Sequence, residues 1–283
     1  MSGSIGSSSY LSALFPAGAA GADPLLPALY GTSGSAPGTS NPIASLTQAA
    51  AQQTKQVALT AARPEVSRDI AGFTKALAKA KTPADLLNNP LALKVLLTAN
   101  GLGDRVAATA LAKKALLSDP DKPGALVNTL ADTRWKTVAR TYAFATKGLA
   151  VLKDPRVIST ITNGYAEVTW RKTLDQTTPG LSNALDFQKR AASIRTVDQV
   201  LSDPTFREVL TMALGVPKEI AFQNLKAQEN ALSTRIDLTK FQDPKYVAQF
   251  TRRYLIQAAA NAPAATSGTD LISLAARVPC LVV

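Results

Sequence analysis

This sequence repeats itself at an offset of 114 residues, and the repeat limits its fold more than any other feature. Residues 82–102 and residues 196–216 are identical at 7 of 21 aligned positions, whereas average residue usage predicts about one or two identities. The identical pairs are Thr82 and Thr196, Leu87 and Leu201, Pro90 and Pro204, Val95 and Val209, Leu96 and Leu210, Ala99 and Ala213, and Gly101 and Gly215. Residues of these types set helix starts, helix ends and apolar contacts, so the repeated unit is a structural one.

The spacing of apolar side chains predicts an all-α fold. Trp135, Val138 and Tyr142 follow the 3.6-residue period of a helix, and the alternation typical of strands is hard to find. Two copies are too few for a typical solenoid, so we expect two pseudo-symmetric repeats of about four helices each. They would pack as one or two lobes.

The repeat also predicts how the body of the chain is divided. The same offset aligns Phe73 with Phe187, and after a slip of three residues Asp132 aligns with Asp243. The predicted divisions are a first helical repeat in residues 64–144, a connecting helix in residues 145–177 and a second helical repeat in residues 178–262.

Pairs of Asn or Asp followed by Pro predict helix starts. The side-chain oxygen accepts hydrogen bonds from free amides of the first turn, and proline at the first helical position loses no useful donor. Gly101 and Gly215 follow apolar helical runs, where glycine supplies the left-handed stop. The pairs are Asn89-Pro90, Asp119-Pro120, Asp154-Pro155, Asp203-Pro204 and Asp243-Pro244.

Residues 1–41 differ from the rest of the chain in composition. Ser, Gly, Ala and Pro make up 27 of the first 40 residues, and Asp23 is the only charged residue before Lys55. Such a segment buries too little apolar area to offset its ordering entropy, so we expect a disordered leader. A flexible tail and a leader for a flagellar-type export machine both fit this composition.

Residues 42–63 are expected to form a helix and a linker. Asn41 is the expected N-cap and Pro42 the expected first helical residue. The helix would pack against a partner or against the body of the chain through a weakly apolar face formed by Ile43, Leu46, Ala50 and Val57.

The sequence lacks the residues that most catalytic and metal sites need. It has no histidine, and Cys280 is its only cysteine. This excludes Ser-His-Asp and Cys-His nucleophile systems, histidine-ligated metals and intrachain disulfides. The chain also has no phosphate-binding loop, and the Asp residues before proline already have a capping role. We therefore predict a non-enzyme with no catalytic, cofactor-binding or metal-binding residues and no cofactor.

The net charge of +11 permits acidic partners without requiring one. Basic pairs are spread along the chain rather than gathered in a block, so we expect solvated helix faces. A stripe that binds nucleic acid is the open alternative and is not favoured. No transmembrane segment and no basic start of a secretory signal is found. The basic pairs are Lys113-Lys114, Arg171-Lys172, Lys189-Arg190 and Arg252-Arg253.

Residues 263–283 form the predicted C-terminal tail. The last four residues, CLVV, formally match the pattern for prenylation at Cys280, but the final Val is not typical and no polybasic stretch lies beside them. We expect an apolar tail that docks on the body or on a partner.

Several stretches within about residues 60–260 resemble a known family. They include TPADLLNNPLALKVLLTANGLGD, LADTRWKTVARTYAF, LKDPRVI, TPGLSNALDFQKRAASI, TVDQVLSDPTFREVLTMALGVPKEIAFQNL and DPKYVAQFTRRYL. As a set they resemble an alphaproteobacterial domain of unknown function whose members are typically encoded among flagellar genes. The resemblance implies an all-helical fold and an association with the flagellum, and it brings no catalytic or ligand-binding residue.

The sequence and the resemblance together lead to a hypothesis of function. We expect a bacterial, non-enzymatic structural or assembly protein of the flagellum that contacts other flagellar proteins or itself. It would be flagellum-associated, with export through the flagellar secretion apparatus. The alternative is a cytoplasmic binding or regulatory module of the same system, either chaperone-like or associated with nucleic acid.

Overall fold

The computed structural model describes residues 41–262, which form fourteen α-helices and no strand. The prediction of an all-α fold is confirmed over this range. In chain order the helices are α1 Pro42–Ala61, α2 Pro64–Lys79, α3 Pro83–Asn88, α4 Pro90–Ala99, α5 Thr109–Leu116, α6 Leu126–Thr129, α7 Arg134–Tyr142, α8 Phe144–Lys147, α9 Pro155–Leu174, α10 Leu181–Arg190, α11 Val197–Ser202, α12 Pro204–Ala213, α13 Leu225–Ser233 and α14 Pro244–Ala260.

Five short 3-10 helices connect the α-helices within the same range. They are Gly103–Arg105, Ala150–Lys153, Ala191–Ser193, Lys218–Phe222 and Leu238–Gln242. Two predictions lie outside the described residues: the leader, except for Asn41, and the C-terminal tail with Cys280.

Four of the five predicted Asx-Pro helix starts are confirmed. Asn89, Asp154, Asp203 and Asp243 are the N-caps of α4, α9, α12 and α14, and each side chain accepts an amide N–H of the first turn. Asn41 caps α1 in the same way.

The prediction at Asp119-Pro120 is wrong, because this pair opens a turn. The Asp119 carboxylate accepts the amide of Asp121, 3.1 Å away. Two helix breakers then follow at once, Pro123 and Gly124, and Gly124 has a φ of 76°. A local cap cannot start a helix where the next turn contains both a proline and a left-handed glycine.

The helices enclose two buried apolar clusters. The first core lies among α2–α9 and includes Phe73, Leu97 and Trp135. The second core lies among α10–α14 and includes Phe187 and Tyr254. Each of these five side chains is at most 2% exposed, so both cores are closed to water.

Helices α1 and α9 join the two cores. On α9, Tyr165 is buried in the first core and Trp170 in the second. On α1, Val57 packs against both cores, so this helix packs against the body of its own chain. The predicted face of α1 is wrong at one position: Ala50 is exposed and Ala49 is buried, because Ala49 lies three residues after the buried Leu46 and so shares its face of the helix.

Local structure recurs at the 114-residue offset. Thr82 and Thr196 each form a capping box, at the starts of α3 and α11. Helices α4 and α12 both have ten residues, and each is followed by a glycine with positive φ, 75° at Gly101 and 65° at Gly215. These features are compatible with two repeats, whose pseudo-symmetric placement stays a prediction.

The contacts favour a revision of the predicted repeat boundaries. Helix α9 packs against α4, and α14 packs in the same way against α12. The hydroxyl of Tyr165 on α9 bonds Asp69, and the hydroxyl of Tyr254 on α14 bonds Glu208. Both helices begin at an Asp-Pro pair after a 3-10 helix. We therefore favour α9 over α7 as the counterpart of α14, while the division of the chain into repeats stays a prediction.

Candidate functional site

Reactive side chains do not gather in the described part of the chain. Residues 41–262 contain no group of three or more His, Cys, Asp or Glu side chains that could hold a metal ion. No helix in that range combines the length and the apolar character of a membrane span. Two other features are candidates for function: a connected set of ion pairs, and an apolar groove.

Five cations and five carboxylates form one connected ionic cluster, with members from the helices of both cores. Each member lies within 4 Å of a partner of opposite charge, so the charges of the cluster balance. The members are Asp104, Arg105, Asp132, Arg134, Glu167, Arg171, Asp186, Lys189, Arg190 and Asp203.

Asp203 connects the two sides of the ionic cluster. Its side chain is only 4% exposed, and one carboxylate oxygen lies 2.5 Å from Arg190 Nη1 and 3.6 Å from Arg134 Nε. The other oxygen accepts the amides of Thr205 and Phe206 and so caps α12. The same side chain therefore starts a helix and joins α10 to the first residue of α7.

The ionic cluster corrects the interpretation of two basic pairs as solvated. Arg171 is buried and donates to Asp186 over 2.7 Å, and Arg190 is half-buried between Asp186 and Asp203. A crevice of about 550 Å³ opens beside Arg134 and Arg190. Because every cation of the cluster has a carboxylate within 4 Å, the cluster is suited to holding the helices together, although Nε of Arg105 and of Arg171 is buried without a hydrogen-bond partner.

We expect the ionic cluster to weaken in acid. Burial raises the pKa of Asp186, but attraction to Arg190 and Arg171 outweighs it, and the pKa is lowered below its usual value. The stability from this shift is present above the unfolded pKa of about 3.9 and is lost as pH falls through the folded pKa. Urea unfolding measured from pH 7 to pH ~2.5 should show that the unfolding free energy of the native chain falls as the pH is lowered. In Asp186→Asn the unfolding free energy should fall less steeply with pH. Equal slopes would contradict the assignment.

The apolar groove lies on the second core, and we call it the α12–α13 groove. Its walls are α12, the 3-10 helix Lys218–Phe222, α13 and the last turn of α14, and its volume is about 780 Å³. Apolar and polar side chains share the surface between these walls, with Arg207 and Glu208 on α12 and with Gln257 and Asn261 at the α14 edge. The apolar lining includes Leu201, Met212, Val216, Ile220 and Leu232.

Phe222 directly follows Ala221, a residue of the α12–α13 groove lining, and is 90% exposed. Leu225, the first residue of α13, is 59% exposed. The backbone here is held in place, because the Gln228 amide donates to the carbonyl of Gln223 over 2.8 Å and to that of Ala221 over 3.4 Å. An exposed aromatic side chain next to a groove is typical of a protein-binding surface.

Sequence reasoning missed both the ionic cluster and the α12–α13 groove. One signal for the cluster was present, since Asp186 and Arg190 are four residues apart on a helix. The groove had a weaker signal, an aromatic residue in a short polar segment between Pro217 and Asn224. Neither signal names the distant residues that complete the feature.

Comparisons with other proteins support the fold and identify a family. A family model described as "Protein of unknown function (DUF1217)" matches residues 99–247, which is more than half of the chain. No curated protein matches the sequence. A crystal structure of an Agrobacterium tumefaciens protein from a structural genomics consortium is 22% identical, with a TM-score of 0.67, over 78% of this chain and 94% of that chain. This similarity shows a shared fold.

Proposed function

This chain belongs to the DUF1217 family of unknown function, and we propose that it is a non-enzymatic structural or assembly protein of the bacterial flagellum. In this proposal it acts through protein–protein contacts with other flagellar proteins or with itself. The observation that carries the proposal is the α12–α13 groove with the exposed Phe222 next in sequence to its lining residue Ala221.

The geometry of this surface favours a binding role. A phenylalanine that stays in water forgoes about 1.5–3 kcal/mol of burial, so its placement at a groove is best explained by a partner. Aromatic anchors in pockets carry much of the energy of protein interfaces. The balanced ionic cluster adds no reactive group, because its carboxylates are engaged by arginine and lysine.

The flagellar part of the proposal is supported by the sequence resemblance alone. Export through the flagellar apparatus would fit the Ser-, Gly- and Ala-rich start of the sequence. A cytoplasmic binding or regulatory module is the second candidate, and the net charge of +11 keeps nucleic acid among its partners.

Localisation and motility test this proposal together. We expect a tagged chain to appear outside the cell or on the filament only in strains with a working flagellar export gate. We also expect Phe222→Asp to impair motility while the protein stays folded, because the charge opposes burial of the ring position in an interface. The matched control is Leu59→Asp, at an apolar residue of α1 that is 54% exposed.

Two results would contradict the proposal. Protein that remains in the cytoplasm, with normal motility after deletion of its gene, would remove the flagellar assignment. Equal motility of the Phe222→Asp and Leu59→Asp strains would remove the binding role of Phe222.

A further inference from the structure

The face of α12 in the α12–α13 groove is open, whereas the equivalent face of α4 is covered. At the 114-residue offset, Leu93 and Leu97 of α4 correspond to Arg207 and Thr211 of α12. Leu93 and Leu97 are at most 2% exposed and belong to the same buried cluster as Trp135 of α7. Arg207 and Thr211 line the open groove.

The difference follows from the segments inserted after α4 and α12. Between α4 and α9 the chain forms α5, α6, α7 and α8, whereas between α12 and α14 it forms one α-helix, α13. Helix α7 contributes four buried apolar residues to the first core, and the second core has no helix in that role among the described residues.

The chain itself continues from the edge of this groove. Gln257 and Asn261, in and just after the last turn of α14, line the groove, and the sequence runs on to residue 283. A segment tethered at the mouth of a site has a high effective concentration there, of millimolar order for a short linker. Residues 263–283 are therefore better placed to reach the groove than any separate molecule.

The sequence of this segment has the chemistry that the groove requires. Leu271, Leu274 and Val278 follow one another at intervals of three and four residues, the spacing with which a helical peptide enters an apolar groove. Asp270 and Arg277 are the only charged residues of the segment. The same pattern of apolar spacing is found in Trp135, Val138 and Tyr142 of α7, which are buried in the first core.

We infer that residues 263–283 dock in the α12–α13 groove of their own chain. The segment covers the apolar side chains that the groove leaves open to water. The inference rests on the groove and does not need the flagellar assignment. If the groove also binds a partner, as in the proposed function, the partner competes with the C-terminal segment for the same apolar surface.

The single thiol of the chain allows a direct test in the full-length protein. Cys280 is labelled with a benzophenone maleimide, the sample is irradiated, and cross-linked peptides are identified by mass spectrometry. Docking predicts cross-links to the groove, in residues 201–232 or 257–261. Mixing ¹⁵N-labelled with unlabelled protein separates links within one chain from links between two copies, and we expect links within one chain.

Matched variants show whether the apolar contacts cause the cross-links. In Leu271→Asp/Leu274→Asp and in Met212→Asp, we expect the groove cross-links to fall about tenfold or more, because an unpaired carboxylate opposes burial. Leu59→Asp should leave them unchanged. Met212 is only partly buried, and circular dichroism confirms that each variant is folded.

Three results would overturn the inference: cross-links spread over other surfaces, cross-links only between two copies, or groove cross-links that persist in the tail and groove variants. Each of these leaves the localisation and motility experiment untouched, so the two proposals fail separately.

Discussion

Asp203→Ala should lower the free energy of unfolding by about 3–5 kcal/mol, the range measured when one partner of a buried ion pair is removed. The substitution leaves Arg190 and Arg134 without the carboxylate that lies 2.5 and 3.6 Å from them. It also removes the N-cap of α12, which contributes about 1 kcal/mol. Urea unfolding followed by circular dichroism at neutral pH measures the loss.

Asp154→Ala is the matched control for this prediction. Asp154 also precedes a proline and caps a helix, α9, but it is exposed, and its partner Arg156 is almost fully exposed at 3.8 Å. We expect a loss of about 1 kcal/mol, since exposed ion pairs contribute little and the cap accounts for the rest. Equal losses in the two variants would show that the ionic cluster does not stabilise the fold beyond its cap.

Phe187→Ala should also cost about 3–5 kcal/mol of unfolding free energy, the usual range for a fully buried phenylalanine. The ring is 0% exposed and packs against Phe206, Phe241 and Phe250, with centroids 6.1, 5.4 and 5.7 Å away. Deleting it removes the common neighbour of three aromatic rings and leaves a cavity in the second core. Chemical denaturation of purified protein measures the effect.

Phe222→Ala removes the same type of side chain as Phe187→Ala, at a position where the phenylalanine is 90% exposed. We expect a change within about 0.5 kcal/mol, as for surface substitutions away from special features. A loss close to that of Phe187→Ala would mean that the Phe222 ring is buried in the free protein. That result would contradict its role as an exposed anchor.

The sequence predicts features that depend on neighbouring residues. An N-cap such as Asn89 or Asp243 accepts an amide two or three residues further on, so the helix starts of α4 and α14 were predicted correctly. The same holds for the left-handed stops at Gly101 and Gly215. The prediction failed at Asp119, where a proline and a glycine within the next turn outweigh the cap.

Features that join distant residues were not predictable from one sequence. Asp203 meets Arg134 across 69 residues, and nothing local to either residue indicates the other. The match between α9 and α14 was also missed, because the segments inserted after α4 and α12 differ in length. An offset of 114 residues with a slip of three residues aligned α7 with α14, whereas the packing of α9 on α4 favours α9 as the counterpart.

The passage of α9 through both cores governs how the body can deform. A helix of twenty residues is about 30 Å long, and Tyr165 and Trp170 anchor its two parts in different cores. Bending at this point would break backbone hydrogen bonds inside a helix instead of turning a loop. A force on one half of the body is therefore transmitted to the other half through a continuous helix.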